Sequence, residues 1–375
     1  MAYKRRQFLM ITGGFLGVGM ATITHQVFSR NQNLNPQPES AIAPQTPPVS
    51  QPVAVAPDGL FAPLKGQVRI VVISDLNSQY GSTTYEPEVD QAIALIPGWQ
   101  PDLVLCGGDM IAGQKRSLTQ GQIQAMWSAF DDHIAAPLRQ AKIPLGFTIG
   151  NHDGSGSISQ GKLTFKSERD LASVYWNDPN HNPGLNFIDR GNFPFYYTFK
   201  QQDIFYLVWD ASTHIISPEQ LTWVEQSLSS LEAKQAKLRL AIGHLPLYPV
   251  AVGRNDGGNF MYEGEKLQTL LEKYDVHTYV SGHHHAYYPG KKGQLELLHT
   301  GALGGGPRKL LNSNLAPQKS LTVVDISLEK AETTYTTYDM KTRKVIDIKT
   351  LPKSIGKVWR RDLVNLSSMS RVKIE

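Results

Sequence analysis

The sequence predicts an α/β fold, and three observations carry the prediction. Continuous apolar, β-branched runs recur along the chain, helical patterns lie between them, and each run ends in a polar residue at or just before a Gly-rich turn. Such runs suit strands buried on both faces, and helical patterns between them make βαβ units. The first is Val68 to Ser74, leading into Asp75. Leu103-Val104-Leu105 leads into Gly107-Gly108-Asp109, and Phe147-Thr148-Ile149 into Gly150-Asn151-His152-Asp153. Leu238 to Ile242 leads to Gly243-His244, and His277 to Ser281 to Gly282-His283-His284-His285. Between the third and fourth runs, Phe195 to Lys200 and Asp203 to Asp210 read as a hairpin pair. A helix then opens at Ser217-Pro218-Glu219, with Leu221, Val224, Leu228 and Leu231 at helical spacing.

Polar residues at the carboxyl ends of strands in open α/β sheets line the ligand crevice. Here those positions hold two carboxylates, amide oxygens and imidazoles: Asp75 with Asn77, Asp109, Asn151 with His152, His244, and His283 to His285. A donor set of this kind suits a pair of metal ions. Singly, Asp75 and Asp109 could be strand-end caps, since Asp is common at turns. His284 is expected to point opposite to its neighbours in an extended segment. Tyr80 reads as an aromatic wall beside the site. Cys106 reads as a small buried strand residue, and as the one cysteine it excludes an internal disulfide.

In this order the motifs resemble the calcineurin-like metallophosphoesterase superfamily, which includes the purple acid phosphatases. Its pattern is an acidic first motif, then GD, GNH[DE], a lone His and GHxH, and all five occur between residues 75 and 285. The resemblance spans about residues 68 to 338. It implies two mixed sheets packed face to face and flanked by helices, a four-layer arrangement. It also implies hydrolysis of a phosphate ester at a dinuclear metal centre with a metal-bridging hydroxide nucleophile. The central hairpin and the Pro-Glu-Gln-Leu-x-Trp helix look like the acid-phosphatase branch, so a phosphomonoesterase is the first expectation. A phosphodiesterase on the same centre, or a decayed binding protein retaining the fold, is the alternative.

Carried over by motif, Asp75, Asn77 and His285 would bind one ion and Asn151, His244 and His283 the other, with Asp109 bridging. The two ions would be divalent or trivalent Mn, Fe, Zn or Mg. His152 would give a proton or hydrogen bond to the leaving oxygen, with Asp153 orienting its ring. Where most members read Asp-x-His, this chain reads Asp75-Leu76-Asn77. Either Asn77 supplies a neutral oxygen, favouring Mn or Mg, or it faces away. Residues 253–262 and 304–308 look like loops over the site, which makes Arg254 and Arg308 candidates for contact with substrate phosphate.

The chain has 375 residues, 41% of them hydrophobic, enough for a sizeable core. Its formal charge of +4 is uneven: residues 1–66 carry +3 and residues 351–375 carry +4, leaving the body at −3. A body that is not basic offers no electrostatic footprint for nucleic acid. The expected substrate is a phosphorylated small molecule.

Lys4-Arg5-Arg6-Gln7-Phe8-Leu9, followed by an uncharged apolar stretch to about Thr24, has the regions of an export signal and resembles a bacterial twin-arginine signal. Residues 1–30 are therefore expected to engage the twin-arginine export machinery and deliver the protein to the periplasm or an equivalent compartment. The alternative is an uncleaved membrane anchor, although the apolar stretch falls short of the roughly 20 residues a span requires. Membrane contact is expected only there. Residues 31–66, rich in Pro, Gln, Ala and Ser, read as a disordered linker. The catalytic domain is expected over 67–340, with a basic extension over 341–375.

Overall fold

The structure, a computed structural model, describes residues 53–77 and 79–364. The expected export signal, the linker up to residue 52 and the end of the C-terminal extension lie outside the described residues. No helix among the described residues is long and apolar enough to cross a membrane.

The strands are β1 (Val68–Ile73), β2 (Leu103–Cys106), β3 (Leu145–Phe147), the short pair β4 (Ile158–Ser159) and β5 (Lys162–Leu163), β6 (Phe187–Asn192), β7 (Tyr196–Gln201) and β8 (Ile204–Val208). They continue with β9 (Leu238–Ile242), β10 (Thr278–Ser281), β11 (Tyr288–Lys292), β12 (Leu295–His299), β13 (Ser320–Ser327), β14 (Glu332–Asp339), β15 (Lys344–Val345), β16 (Ser354–Ile355) and β17 (Val358–Arg360).

Two mixed sheets form the body. One runs β15-β14-β13-β1-β2-β3 and the other β16-β17-β11-β12-β10-β9-β8-β7-β6. Within the first, β1, β2 and β3 are parallel; within the second, β8, β9, β10 and β12 are parallel. Every residue of β1, β2, β8, β10 and β12 is buried. That burial on both faces is why β2 and β8 read as unbroken apolar runs. The inner faces meet directly. Tyr197 on β7 donates its hydroxyl to the Phe147 carbonyl at 2.6 Å, and Thr148 donates to the Trp209 carbonyl at 3.3 Å.

Two local expectations are corrected. The third strand ends at Phe147, two residues before Ile149, because the chain turns there to place Gly150 against Asp109. The helix begins at Pro218 with Ser217 capping Gln220, but it stops at Ser229. Leu231, expected on its apolar face, opens a separate short turn and is exposed, since Ser230 breaks the helix and caps the next. Trp209 is fully buried, whereas Trp223 is half-buried, packed on Tyr196 and donating its ring N–H to Asp189 at 2.7 Å.

The domain limits also move outward. Val55 and Lys65 donate backbone N–H groups to Pro63 and Val53, closing a small loop from the stretch expected to be linker. Its carbonyls at Val55 and Pro63 receive the fully buried Arg69 guanidinium, which also pairs with Asp325 at 2.7 Å. At the other end β15 extends the first sheet, and β16 with β17 extends the second.

Candidate metal centre

The parallel strands deliver the site. Asp75 follows β1, Asp109 follows β2, Asn151 to Asp153 open a short helix after β3, His244 follows β9, and His283 to His285 follow β10. Carboxyl ends from both sheets thus converge on one volume. Asp75, Asp109, His283 and His285 all sit in left-handed backbone, at φ of 52, 53, 63 and 53°. Each such position costs on the order of 1 kcal/mol or more in a residue other than Gly, a strain that clusters at functional sites. Gly150 is required by close approach, because a Cβ there would lie 2.2 Å from Asp109 Oδ1.

Two groups of ligand atoms result: Asp109, His244 and His283 form one, and Asp75, Asp109 and His285 the other. Within each group the atoms lie within 4.8 Å of one another, and Asp109 belongs to both. Asn151 joins the first group, its Oδ1 being 2.9 Å from His244 Nε2 and 2.8 Å from His283 Nδ1. In the second, Asp75 Oδ1 is 3.2 Å from His285 Nε2.

In His244 and His285 the other nitrogen is committed to a carbonyl, which determines the tautomer. His244 donates Nδ1–H to the Gly107 carbonyl at 2.8 Å, and His285 donates Nδ1–H to the Gly306 carbonyl at 2.9 Å. His283 Nε2 lies 3.3 Å from both an acceptor, Asn259 Oδ1, and a donor, Arg254 Nη1, while its Nδ1 is the nitrogen turned toward Asn151. His284 is buried, points away from the ligand groups and ties down the neighbouring loop. It donates Nε2–H to the Asn259 carbonyl at 2.9 Å and accepts from the Val250 N–H at 3.2 Å.

Electrostatics follow from this crowding. Burial would raise the Asp109 carboxyl, but His244 and His152 beside it hold it well below the usual range. Burial opposes charge on His244 too, yet Asp109 pushes its imidazolium up to about 9. In the metal-free protein a proton on His244 therefore balances the carboxylate, occupying the place a cation would take.

One open alternative is favoured and one expected role is corrected. Asn77 is committed to its own loop: its amide donates to the Ser82 and Thr84 carbonyls, both at 3.2 Å, and its Oδ1 accepts the Gln79 N–H at 3.2 Å. An amide tied at three points by a turn supports the facing-away alternative. Asp153 does not orient the His152 ring. As neighbours on one turn the two side chains diverge, and the Asp153 carboxylate accepts from the N–H groups of Met110, Ile111 and Gly150 at 2.7, 2.9 and 2.8 Å. It fastens the GD turn to the GNHD turn.

His152 itself lies beside the groups. Its backbone N–H donates to Asp109 Oδ1 at 2.8 Å, its Nε2 is 3.9 Å from Asp109 Oδ2, and Tyr80 stacks on its ring at 5.2 Å. Arg254 Nη1 donates to Asn259 Oδ1 at 2.8 Å and lies 3.3 Å from His283 Nε2. The buried Nε atoms of Arg254 and Arg308 have no partner among the described residues.

Sequence reasoning missed Gln114 and Asn259. Gln114 Oε1 accepts the Asn151 amide N–H at 2.6 Å, which turns Asn151 Oδ1 toward the imidazoles. It lies outside any motif, five residues past Asp109. Asn259 lay within a segment read as a loop over the site, and only its contacts to His283 and His284 reveal its part.

No protein of curated function matches the sequence. The structure is similar to a purple acid phosphatase from yellow lupin (Lupinus luteus) seeds, at 18% identity and a TM-score of 0.52, over 75% of this chain and 52% of that one. The chain thus spans about half the length of that protein. It is also similar to the anchor in the inner membrane complex of Plasmodium, at 13% identity and a TM-score of 0.47, over 75% and 87% of the two chains. A phosphopantetheinyl hydrolase from Mycobacterium tuberculosis is similar at 13% identity and a TM-score of 0.39, over 62% and 89%. The sequence profile described as calcineurin-like phosphoesterase matches residues 68–287, more than half of the chain, and on that match the chain belongs to the calcineurin-like phosphoesterase family.

Proposed function

We propose that the chain hydrolyses phosphomonoesters of small molecules at a two-metal centre, outside the cytoplasm. The observation that carries this reading is the donor chemistry. Three imidazoles turn a nitrogen toward two buried carboxylates, one of which serves both groups, and two of them, His244 and His285, fix the other nitrogen on a carbonyl. Asp109, Asn151, His244 and His283 would hold one ion, and Asp75, Asp109 and His285 the other. The ions, Mn, Fe, Zn or Mg, would supply Lewis acidity toward the phosphoryl oxygens and an attacking water.

His152 would hold a proton for the leaving oxygen. Its Nδ1 is buried without a partner among the described residues, so a proton on Nε2 leaves no buried N–H unsatisfied and faces the Asp109 side. Tyr80 restrains the ring by stacking.

Arg254 and Arg308 favour the monoester reading. Each has a buried donor without a partner, and Arg308 disfavours the charge on Arg254 after burial does, so the two cations are near neighbours. A phosphoryl dianion would relieve both. The test compares kcat/KM for 4-nitrophenyl phosphate and bis(4-nitrophenyl) phosphate in the wild type and in Arg254→Ala. A larger loss toward the monoester is expected; an equal loss, or a wild type that prefers the diester, contradicts the reading. Export rests on the Arg5-Arg6 pair and the apolar stretch after it, which support engagement of the twin-arginine machinery and a periplasmic destination.

A further inference from the structure

Asn77 stands where most members of the family have a His, and its side chain does a different job. Its amide donates to the Ser82 and Thr84 carbonyls, and its Oδ1 accepts the Gln79 N–H. Inside that clamp Ser82 donates its N–H to the Gln79 carbonyl at 2.8 Å, closing a four-residue turn over 79–82. Gly81, third in the turn, has a φ of +81°, the conformation a type II turn requires there. Its N–H donates to the Ala112 carbonyl at 2.8 Å, and a Cβ on it would lie 2.9 Å from the Leu118 side chain. The turn is thereby pinned to the loop that follows Asp109, and Tyr80 is held at its corner.

Tyr80 is 55% exposed although its ring stacks on His152, with 5.2 Å between centroids and 25° between planes. One face meets the imidazole, so the exposure falls on the other face and the edge. Arg254 lies within electrostatic reach of Tyr80 as well as of Asp75 and Asp109, which places the tyrosine at the rim of the metal centre.

We propose that Tyr80 selects substrates with a planar aromatic leaving group by stacking on that group beside His152, and that Asn77 is the positioning residue that holds Tyr80 there. The inference rests on the reading of His152 as the group that serves the leaving oxygen. An oxygen hydrogen-bonded to His152 lies about 3 Å from the imidazole. A ring attached to that oxygen then comes within reach of Tyr80, since stacked and edge-to-face rings interact with centroids about 4.5 to 7 Å apart. Such a pair gains more than the area it buries. Area alone would favour a bulkier saturated ring.

The probes are benzylphosphonate, which keeps the ring of an aryl phosphate and resists hydrolysis, and its saturated counterpart, cyclohexylmethylphosphonate. Both are titrated calorimetrically into the full-length, metal-loaded protein. The wild type is expected to bind benzylphosphonate at least about threefold more tightly, Tyr80→Phe to keep that ratio, and Tyr80→Leu to bring it to about one. Asn77→Ala should lower the ratio too, with both ions still bound by elemental analysis, because it frees the turn and removes no ligand. Equal binding of the two phosphonates by the wild type, a ratio retained in Tyr80→Leu or Asn77→Ala, or a ratio lost in Tyr80→Phe would each overturn the proposal. Hydrolysis of phenyl phosphate, followed in the same preparations, keeps the two readings apart. Hydrolysis with equal phosphonate binding sinks the stacking alone, and a benzyl preference without hydrolysis sustains the stacking and sinks the catalytic reading.

Discussion

Three residues in the centre make distinguishable predictions. Asp109 lies in both ligand groups, so Asp109→Ala should lower occupancy at both ions, read by elemental analysis. His152 only adjoins the groups. His152→Ala should keep both ions and lose about 10² to 10⁴ in rate, the usual worth of a positioned acid. The loss should be greatest for alkyl esters and least for aryl esters with strongly withdrawing substituents, and an equal loss across that series would remove the leaving-group role. Asp153 ties three backbone N–H groups. Asp153→Ala should therefore cost at least about 3 kcal/mol of stability, measured by denaturant unfolding.

His244 sets a pH dependence. Its folded-state pKa is raised to about 9, so in the metal-free protein the His244–Asp109 pair contributes its full stabilisation below the ordinary His pKa of about 6.5 and loses it as the pH rises through about 9. An entering ion must displace that proton. Apparent metal affinity should fall about tenfold per pH unit below about 9. Calorimetry in buffers of different ionisation enthalpy reads the released proton, and metal binding without proton release would contradict the assignment.

At the scale of elements, the five strand-end segments were legible because their residue types and order are constrained by the donor chemistry. The roles of Asn77 and Asp153 were not. Both belong to motifs, but their function depends on which backbone groups their side chains meet, and a turn such as 77–84 is not written in spacing. Gln114 was hidden for the same reason, since it acts on Asn151 from outside any motif. With Asn77 committed to its loop, the Asp75 side keeps three donors against four on the Asn151 side. Titration should therefore show two unequal steps, with Asn77→Ala leaving the weaker affinity within about twofold of wild type. A larger loss would return Asn77 to the ligand set.

Across the whole molecule, the two-sheet body was readable from buried apolar runs together with the family resemblance, while its limits were not. Residues 53–66 look like linker by composition, but they fold because their carbonyls accept the buried Arg69 guanidinium. Backbone acceptors leave no trace in sequence. Removing residues 1–66 should cost at least about 2 kcal/mol relative to removing residues 1–52, read by denaturant unfolding. The proposed export belongs to this scale as well. Arg5→Lys with Arg6→Lys should block delivery to the periplasm, because the twin-arginine route recognises the guanidinium pair, and normal periplasmic yield would remove that route.

The most direct measurement titrates metal into stripped protein while following hydrolysis of 4-nitrophenyl phosphate, for the wild type and for Asp109→Ala. Activity in the wild type should appear only as two ions per chain bind, and Asp109→Ala should retain neither the second ion nor the activity. Full activity with one ion, or a metal-loaded Asp109→Ala protein that hydrolyses the ester like the wild type, would contradict a shared two-metal centre.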